Sequence, residues 1–173
     1  CRMHEGKRLL GLIYMDKRPN LLIIDDEKSI CWSLEQGLKD EYTVKTATNG
    51  SEGLKLAEEH LPDLVILDMK LPDTTGIELL KKIKHLDPSI VAILLTGYGS
   101  VDLAVEAVKL GAYDFIEKPF KLPKIKITIE KALENKVLRE QIIKLQSELG
   151  PKTERPLVGN SEVIKNIYKN IKQ

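Results

Sequence analysis

Short apolar runs alternate along the chain with longer segments in which apolar residues recur every three or four positions. The runs fall at Leu21–Ile24, Tyr42–Thr46, Leu64–Leu67, Ile90–Leu95 and Tyr113–Ile116. Their shortness and the turn-forming residues between them are the pattern of β-strands. The third and fourth are almost wholly apolar, as strands covered by helices on both faces must be, whereas the second alternates and belongs at an edge. Between the runs the period becomes helical, over Lys28 to Leu38, Ser51 to His60 and Thr75 to His85. Ser51, after the Asn49-Gly50 turn, is the expected cap of the second of these. A further helix is expected from Ser100, with Val101, Ala104, Val105 and Val108 on one stripe and Gly111 at its end. Strand and helix in regular alternation imply right-handed crossovers and a doubly wound, five-stranded parallel α/β sheet. Ligands of such sheets bind beyond the carboxyl ends of the strands, so chemistry is expected in the residues just after each run.

Those residues are polar in a particular way. The first run is followed by Asp25-Asp26-Glu27, the third by Asp68, the fourth by Thr96 and the fifth by Glu117-Lys118-Pro119. Adjacent carboxylates repel unless a cation lies among them, and two or three carboxylates with a backbone carbonyl suit Mg²⁺. A lysine beside them adds a positive charge for the phosphate that Mg²⁺ prefers as a further ligand. The combination points to phosphoryl transfer onto a carboxylate nucleophile. One acid after a strand often only caps the next helix, as Asp26 can for Lys28 to Leu38. Matching groups at four strand ends are poorly explained that way. The stretch D-L-V-I-L-D-M-K-L-P-D holds three aspartates. Asp63 precedes the strand and reads as chain reversal, Asp73 lies beyond Pro72 as a turn or capping residue, and only Asp68 stands where the other groups converge.

Composition narrows the class. With 27 basic against 26 acidic residues the net charge is +1, too little to hold a polyanion, so direct DNA binding is not expected. No apolar run approaches the roughly 18 residues needed to cross a bilayer, so no membrane role is expected. Cys1 and Cys31 form neither a metal-ligand spacing nor a disulfide framework, and Cys31 is expected to pack as a small hydrophobe. A reducing cytoplasm fits this usage. Residues 1–15 faintly suggest a secretory signal but lack a small-residue cleavage site, and Met15-Asp16-Lys17-Arg18 reads as a natural start. The segment is taken as an upstream extension or a cloning remnant.

The motifs L-I-I-D-D-E, L-V-I-L-D-M-K-L-P-D-T-T-G, I-L-L-T-G-Y-G and Y-D-F-I-E-K-P-F, in this order and spacing, resemble the receiver domain of two-component response regulators over Asn20 to about Lys136. The resemblance implies a flavodoxin-like receiver with strand order 2-1-3-4-5 and a core over 16–123. It implies that Asp68 accepts a phosphoryl group from a sensor histidine kinase, and that Asp25, Asp26, Asp68 and the backbone carbonyl of Lys70 bind Mg²⁺. Thr96 and Lys118 would contact the phosphoryl group, with small Gly97 leaving room for its oxygens. Lys70 and Tyr98, two residues beyond the acceptor and the threonine, would flank the path of hydrolytic water; both are bulky, so slow autodephosphorylation is expected. In the implied switch Thr96 moves toward the phosphoryl group and Phe115 turns inward. Tyr113 is the alternative aromatic, on the same face by strand alternation, and spacing from Lys118 favours Phe115. The family commonly has a cis bond at the position of Lys118-Pro119, which proline makes accessible.

After the fifth run, Leu122-Pro123 opens a helix expected to reach about Leu149, longer than a receiver needs. In its distal part Leu138, Ile142, Leu145 and Leu149 form a heptad seam with Asn135 at an a-type position, so residues 124–150 are expected to be an extended last helix and coiled-coil dimerisation linker that pairs two parallel copies as a homodimer. Gly150-Pro151 then breaks the helix. Residues 151–173, with P-L-V-G-N-S-E-V-I, resemble the opening of the AAA+ ATPase domain of NtrC-type sigma-54-dependent activators. No G-x-x-x-x-G-K-[ST] is present within the chain, so ATP hydrolysis by it is not expected. The resemblance implies an attached AAA+ domain and sigma-54 RNA polymerase as partners, with the unphosphorylated pair restraining the ATPase; some relatives use the opposite sign. Two rivals stand beside this: a stand-alone receiver acting by protein docking, and an aspartyl-phosphate hydrolase of haloacid-dehalogenase type. The second needs an acid two residues after the nucleophile, where this chain has Lys70.

Overall fold

In a computed structural model, which describes residues 18–97 and 106–148, the apolar runs pair as one parallel sheet. Its strands are β1 (Asn20–Ile24), β2 (Thr43–Ala47), β3 (Leu64–Asp68), β4 (Val91–Thr96) and β5 (Asp114–Glu117), in the order β2-β1-β3-β4-β5. The expected order is therefore the observed one. β3 and β4 are buried along their whole length, while β2 alternates at the edge. Several strands end one residue later than their apolar runs, because the ladder, not hydrophobicity, sets the ends. Asp68 pairs with Leu95 and Thr96 with Glu117. The polar residues at the rim are thus held by the sheet itself.

The helices are α1 (Lys28–Leu38), α2 (Gly50–His60), α3 (Gly76–Leu86) and α4 (Leu122–Glu148). Strand alternation divides the apolar residues between two faces. Leu21, Ile23, Leu64 and Ile66 join α1 and α4 in one core, and Leu22, Ile24, Val65 and Leu67 join α2 and α3 in the other. Asn49, not Ser51, caps α2: its side chain accepts from the Glu52 amide, while Ser51 lies inside the helix. Thr75 caps α3 in the same way. Residues 106–109 are helical and Gly111, with φ of +91°, stands just beyond them, in the left-handed conformation that suits glycine after a helix. Ala107 is buried there and Val108 is half exposed, so in the described part of this helix the buried position is Ala107 and not the expected Val108. Ser100, Val101, Ala104 and Val105 lie outside the described residues.

The core does not stop at residue 123. Ile125, Ile129, Ala132 and Leu133 of α4 are fully buried, and the first compact unit runs to Leu138. The α4 stripe fills the groove left beside α1, which explains why the sheet needs it. The second unit begins at Arg139; its described part, 139–148, is helical, with Ile142, Ile143 and Leu145 exposed. Leu149, residues 151–173 and residues 1–17 lie outside the described residues. Among the described residues no helix is long and apolar enough to cross a membrane.

Candidate functional site

β1 delivers Asp25 to the rim, fully buried. Its amide donates to Ala47 O at 3.1 Å, and its Oδ1 accepts from the Glu27 amide at 2.9 Å. Glu27 occupies the N-cap of α1 with no side-chain cap; the capping alternative considered for Asp26 is not what the structure shows. Cys31 packs in the core, and its thiol also lies 3.3 Å from Asp25 O, with burial foremost and then Asp25 pushing the thiol up to about 11. It is a protonated pin on the Asp25 backbone rather than a nucleophile.

Asp25, Asp26 and Asp68 each offer a carboxylate oxygen, all within 4.8 Å of one another. Lys118 is brought opposite them by its amide, which donates to Thr96 O at 2.7 Å. Its Nζ lies 2.7 Å from Asp25 Oδ2, 3.2 Å from Asp68 Oδ2 and 3.5 Å from Glu27 Oε1. The Lys118-Pro119 bond is cis. Burial, followed by the Asp25 charge, raises the Asp68 carboxyl above its usual range, against the opposing pull of Lys118 and the Lys70 amide. Burial alone would lower the Lys118 ammonium, but Asp25 and Asp68 outweigh it and raise it. One ammonium faces three carboxylates, with Glu27 a fourth. An under-neutralised, all-oxygen donor set fits a hard divalent cation such as Mg²⁺.

The loop after β3 supplies Lys70, whose side chain is exposed and whose backbone bridges to Thr75. Gly76 closes this loop: its amide donates to Met69 O at 2.9 Å, and a Cβ there would stand 2.5 Å from Asp68 O and 2.7 Å from Met69 Cα. Thr96 is buried, with its hydroxyl donating to Gly97 O at 3.1 Å. No described atom lies within 4 Å of where a Gly97 Cβ would stand. Phe115 is 42% exposed, whereas Tyr113 lies half-buried on the α4 side with its hydroxyl accepting from Asn135 Nδ2 at 2.8 Å. The two aromatics expected on one face therefore have different surroundings, because Tyr113 precedes β5 and is held by α4. Tyr98 lies outside the described residues.

Sequence reasoning missed three partners: Glu27 beside Lys118, the backbone contact that requires glycine at 76, and the remote bonds of Asp63 and Asp73. Asp63 does more than reverse the chain, since it accepts from the Asn20 amide at 2.9 Å and pairs with Lys136 at 3.0 Å. Asp73 is a capping residue as expected, but for α2: it accepts from the amides of Gly50 and Ser51 and from the Ser51 hydroxyl.

The response regulator receiver domain model matches residues 21–130. The chain belongs to the response regulator receiver family. This receiver is 37% identical over 158 residues to the transcriptional regulatory protein ZraR of Klebsiella oxytoca, covering 88% of this chain and 34% of ZraR. The solved structure of NtrX from Brucella abortus superposes with a TM-score of 0.73 at 32% identity, over 89% of this chain and 34% of that one. A CheY-like receiver from Methanospirillum hungatei JF-1 matches with a TM-score of 0.69 at 33% identity, over 71% of this chain and 99% of that one. The chain is thus a receiver of the NtrC type that ZraR and NtrX represent, and spans about a third of their length.

Proposed function

We propose that Asp68 is the phosphoacceptor of this receiver and that a sensor histidine kinase is its donor. The observation that carries this is the cluster of three carboxylate oxygens within 4.8 Å, with Lys118 bridging Asp25 and Asp68. Asp25, Asp26, Asp68 and the Lys70 carbonyl would hold Mg²⁺, which when bound neutralises charge on the transferring phosphoryl oxygens. An Asp68 carboxylate oxygen attacks phosphorus as the phosphorus–nitrogen bond of a phosphohistidine breaks, and the imidazole keeps the bonding pair. Lys118 exchanges one carboxylate contact for a phosphoryl oxygen, and the Thr96 hydroxyl turns from Gly97 O to another. This role is regulatory, with no substrate turned over for its own sake. Bulky Lys70 and Tyr98 slow loss of the phosphoryl group, and a phosphorylated half-life of seconds would contradict that.

Phe115, exposed in this state, turns inward as Thr96 moves. Asn135, Leu138, Ile142, Leu145 and Leu149 pair two copies, Asn135 exchanging its bond to Tyr113 for its counterpart; the exposure of Leu138, Ile142 and Leu145 supports this reading, because clustered exposed apolar side chains mark interaction surfaces. Residues 151–173 continue into an AAA+ domain that works with sigma-54 RNA polymerase in the cytoplasm, restrained until phosphorylation repacks the receiver pair. Incubation with acetyl phosphate and Mg²⁺ tests the acceptor: label on the wild type and none on Asp68→Asn is expected, and equal labelling of both refutes it. Sedimentation before and after labelling tests the pairing, with Ile142→Asp expected to give monomers.

A further inference from the structure

The loop that carries Lys70 is tied to α2 by one of its own side chains, Asp73, which lies three residues beyond Lys70 and is not itself a proposed ligand. Asp73 Oδ1 accepts from the Gly50 amide at 2.7 Å, while Oδ2 accepts from the Ser51 amide at 2.8 Å and the Ser51 hydroxyl at 2.6 Å. All three donors sit in the first turn of α2, whose amides have no partner within the helix. α2 is already capped by Asn49 and by Glu52, which takes the Thr48 amide. Asp73 is therefore a second, remote cap. It fixes the β3–α3 loop to the helix that comes after the edge strand. Thr74 completes the joint, its Cγ2 filling the space that a Cβ on Gly50 would need.

Within the loop the backbone is held by few bonds: Leu71 N to Thr74 O at 3.3 Å, Gly76 N to Met69 O at 2.9 Å and the Lys70–Thr75 bridge. These close the loop on itself, and Met69 N to Leu95 O at 3.0 Å ties its start to β4, but none of them joins its far side to a neighbouring helix. Among the described residues, Asp73 alone in this loop hydrogen-bonds through its side chain to another strand–helix unit at short range. We propose that Asp73 is a positioning residue for Mg²⁺ binding, anchoring the loop on α2 so that the Lys70 carbonyl is already in place when the ion arrives. The inference rests on the proposed metal site and adds a residue to it.

The size of the effect comes from pre-organisation. If the anchored loop is competent nearly all the time, and the unanchored loop only about a fifth of it, the apparent Kd for Mg²⁺ rises about fivefold, because affinity scales with the competent fraction. A lost charge would also weaken cation binding, but through space, and salt screens that contribution.

Mg²⁺ titration by calorimetry on the whole chain separates the two, using wild type, Asp73→Ala, Asp73→Asn and Asp25→Asn at low and high potassium chloride. Asp73→Ala is expected to bind about fivefold more weakly at both salt concentrations. Asp73→Asn, which removes the charge and keeps one acceptor oxygen while its amide nitrogen cannot accept from a backbone N–H, is expected to recover part of that loss at both salt concentrations. Amide exchange at Met69, Lys70 and Leu71 is expected to quicken in Asp73→Ala without metal, while circular dichroism remains native. Equal weakening in Asp73→Ala and Asp73→Asn that disappears at high salt would overturn the inference in favour of simple charge. Unchanged affinity in Asp73→Ala would overturn it while leaving the metal site intact. A wild type that binds no Mg²⁺, or binds it no better than Asp25→Asn, overturns the metal site and the inference together.

Discussion

The two ends of β3 carry the same side chain in opposite conditions. Asp63, just before the strand, receives the Asn20 amide and the Lys136 ammonium, and so joins β1, β3 and α4. Asp68, at the other end, is more deeply buried, shares Lys118 with Asp25 and has its carboxyl raised by burial and by Asp25. Satisfied polar groups stabilise a fold; crowded and incompletely neutralised ones oppose it, and persist where chemistry needs them. The carboxylate pair at the rim is therefore read as function and the one at the base as architecture.

The sharpest way to damage the rim is through its backbone. Gly76→Ala places a Cβ against Asp68 O and Met69 Cα, atoms that cannot move aside without displacing the loop. A loss of about 3 kcal/mol is expected from such an overpacked contact, measured by urea denaturation. At the base, Asp63→Ala leaves the part-buried Lys136 ammonium and the Asn20 amide without this partner, at a cost of about 2 kcal/mol. Mg²⁺ affinity should not change, and a large change would erase the distinction between the two ends.

Asp68→Asn should act in the reverse sense. Because the folded-state pKa of Asp68 is raised, its ionisation opposes folding, so stability falls as pH rises from the ordinary carboxylate range, near about 4, through the folded value. The metal-free variant should melt higher than wild type at neutral pH, and the gap should close in acid. Added Mg²⁺ should stabilise wild type far more than the variant.

The smallest effect expected is that of Asp73. Three hydrogen bonds from Ser51 and Gly50 hold its carboxyl down to about 2. A depressed pKa contributes stability that is fully present above the unfolded value, near about 3.9, and lost as pH falls toward the folded value. Asp73→Ala should therefore remove part of the wild-type decline between about pH 4 and about pH 2, read by thermal melts across that window; an unchanged acid limb would deny the cap.

Much of this arrangement is legible in the sequence because it is periodic or local. Apolar runs locate the strands, alternation in Thr43–Ala47 marks the edge, and Asp25, Asp68, Thr96 and Lys118 are found at the carboxyl ends of four of those strands. The features that were not legible depend on partners remote along the chain. Nothing near Asp73 announces that it caps α2, and nothing near Asn135 announces the Tyr113 hydroxyl. The choice of Asn49 over Ser51 as cap is a matter of where the helix begins within two residues, which propensity does not resolve because both side chains cap well. The resemblance already carried the receiver to about Lys136, but the residue at which buried core gives way along α4, Val137, is not marked by spacing, because the same apolar spacing serves a domain core and a coiled coil alike.

The most direct test of Asp68 as acceptor is to locate the phosphoryl group. After reaction with acetyl phosphate and Mg²⁺, borohydride reduction converts an aspartyl phosphate into homoserine, and peptide mass mapping finds the converted residue. Conversion at position 68 alone is predicted. Conversion at Asp25 or Asp26, or none while the protein remains folded and binds Mg²⁺, would contradict it.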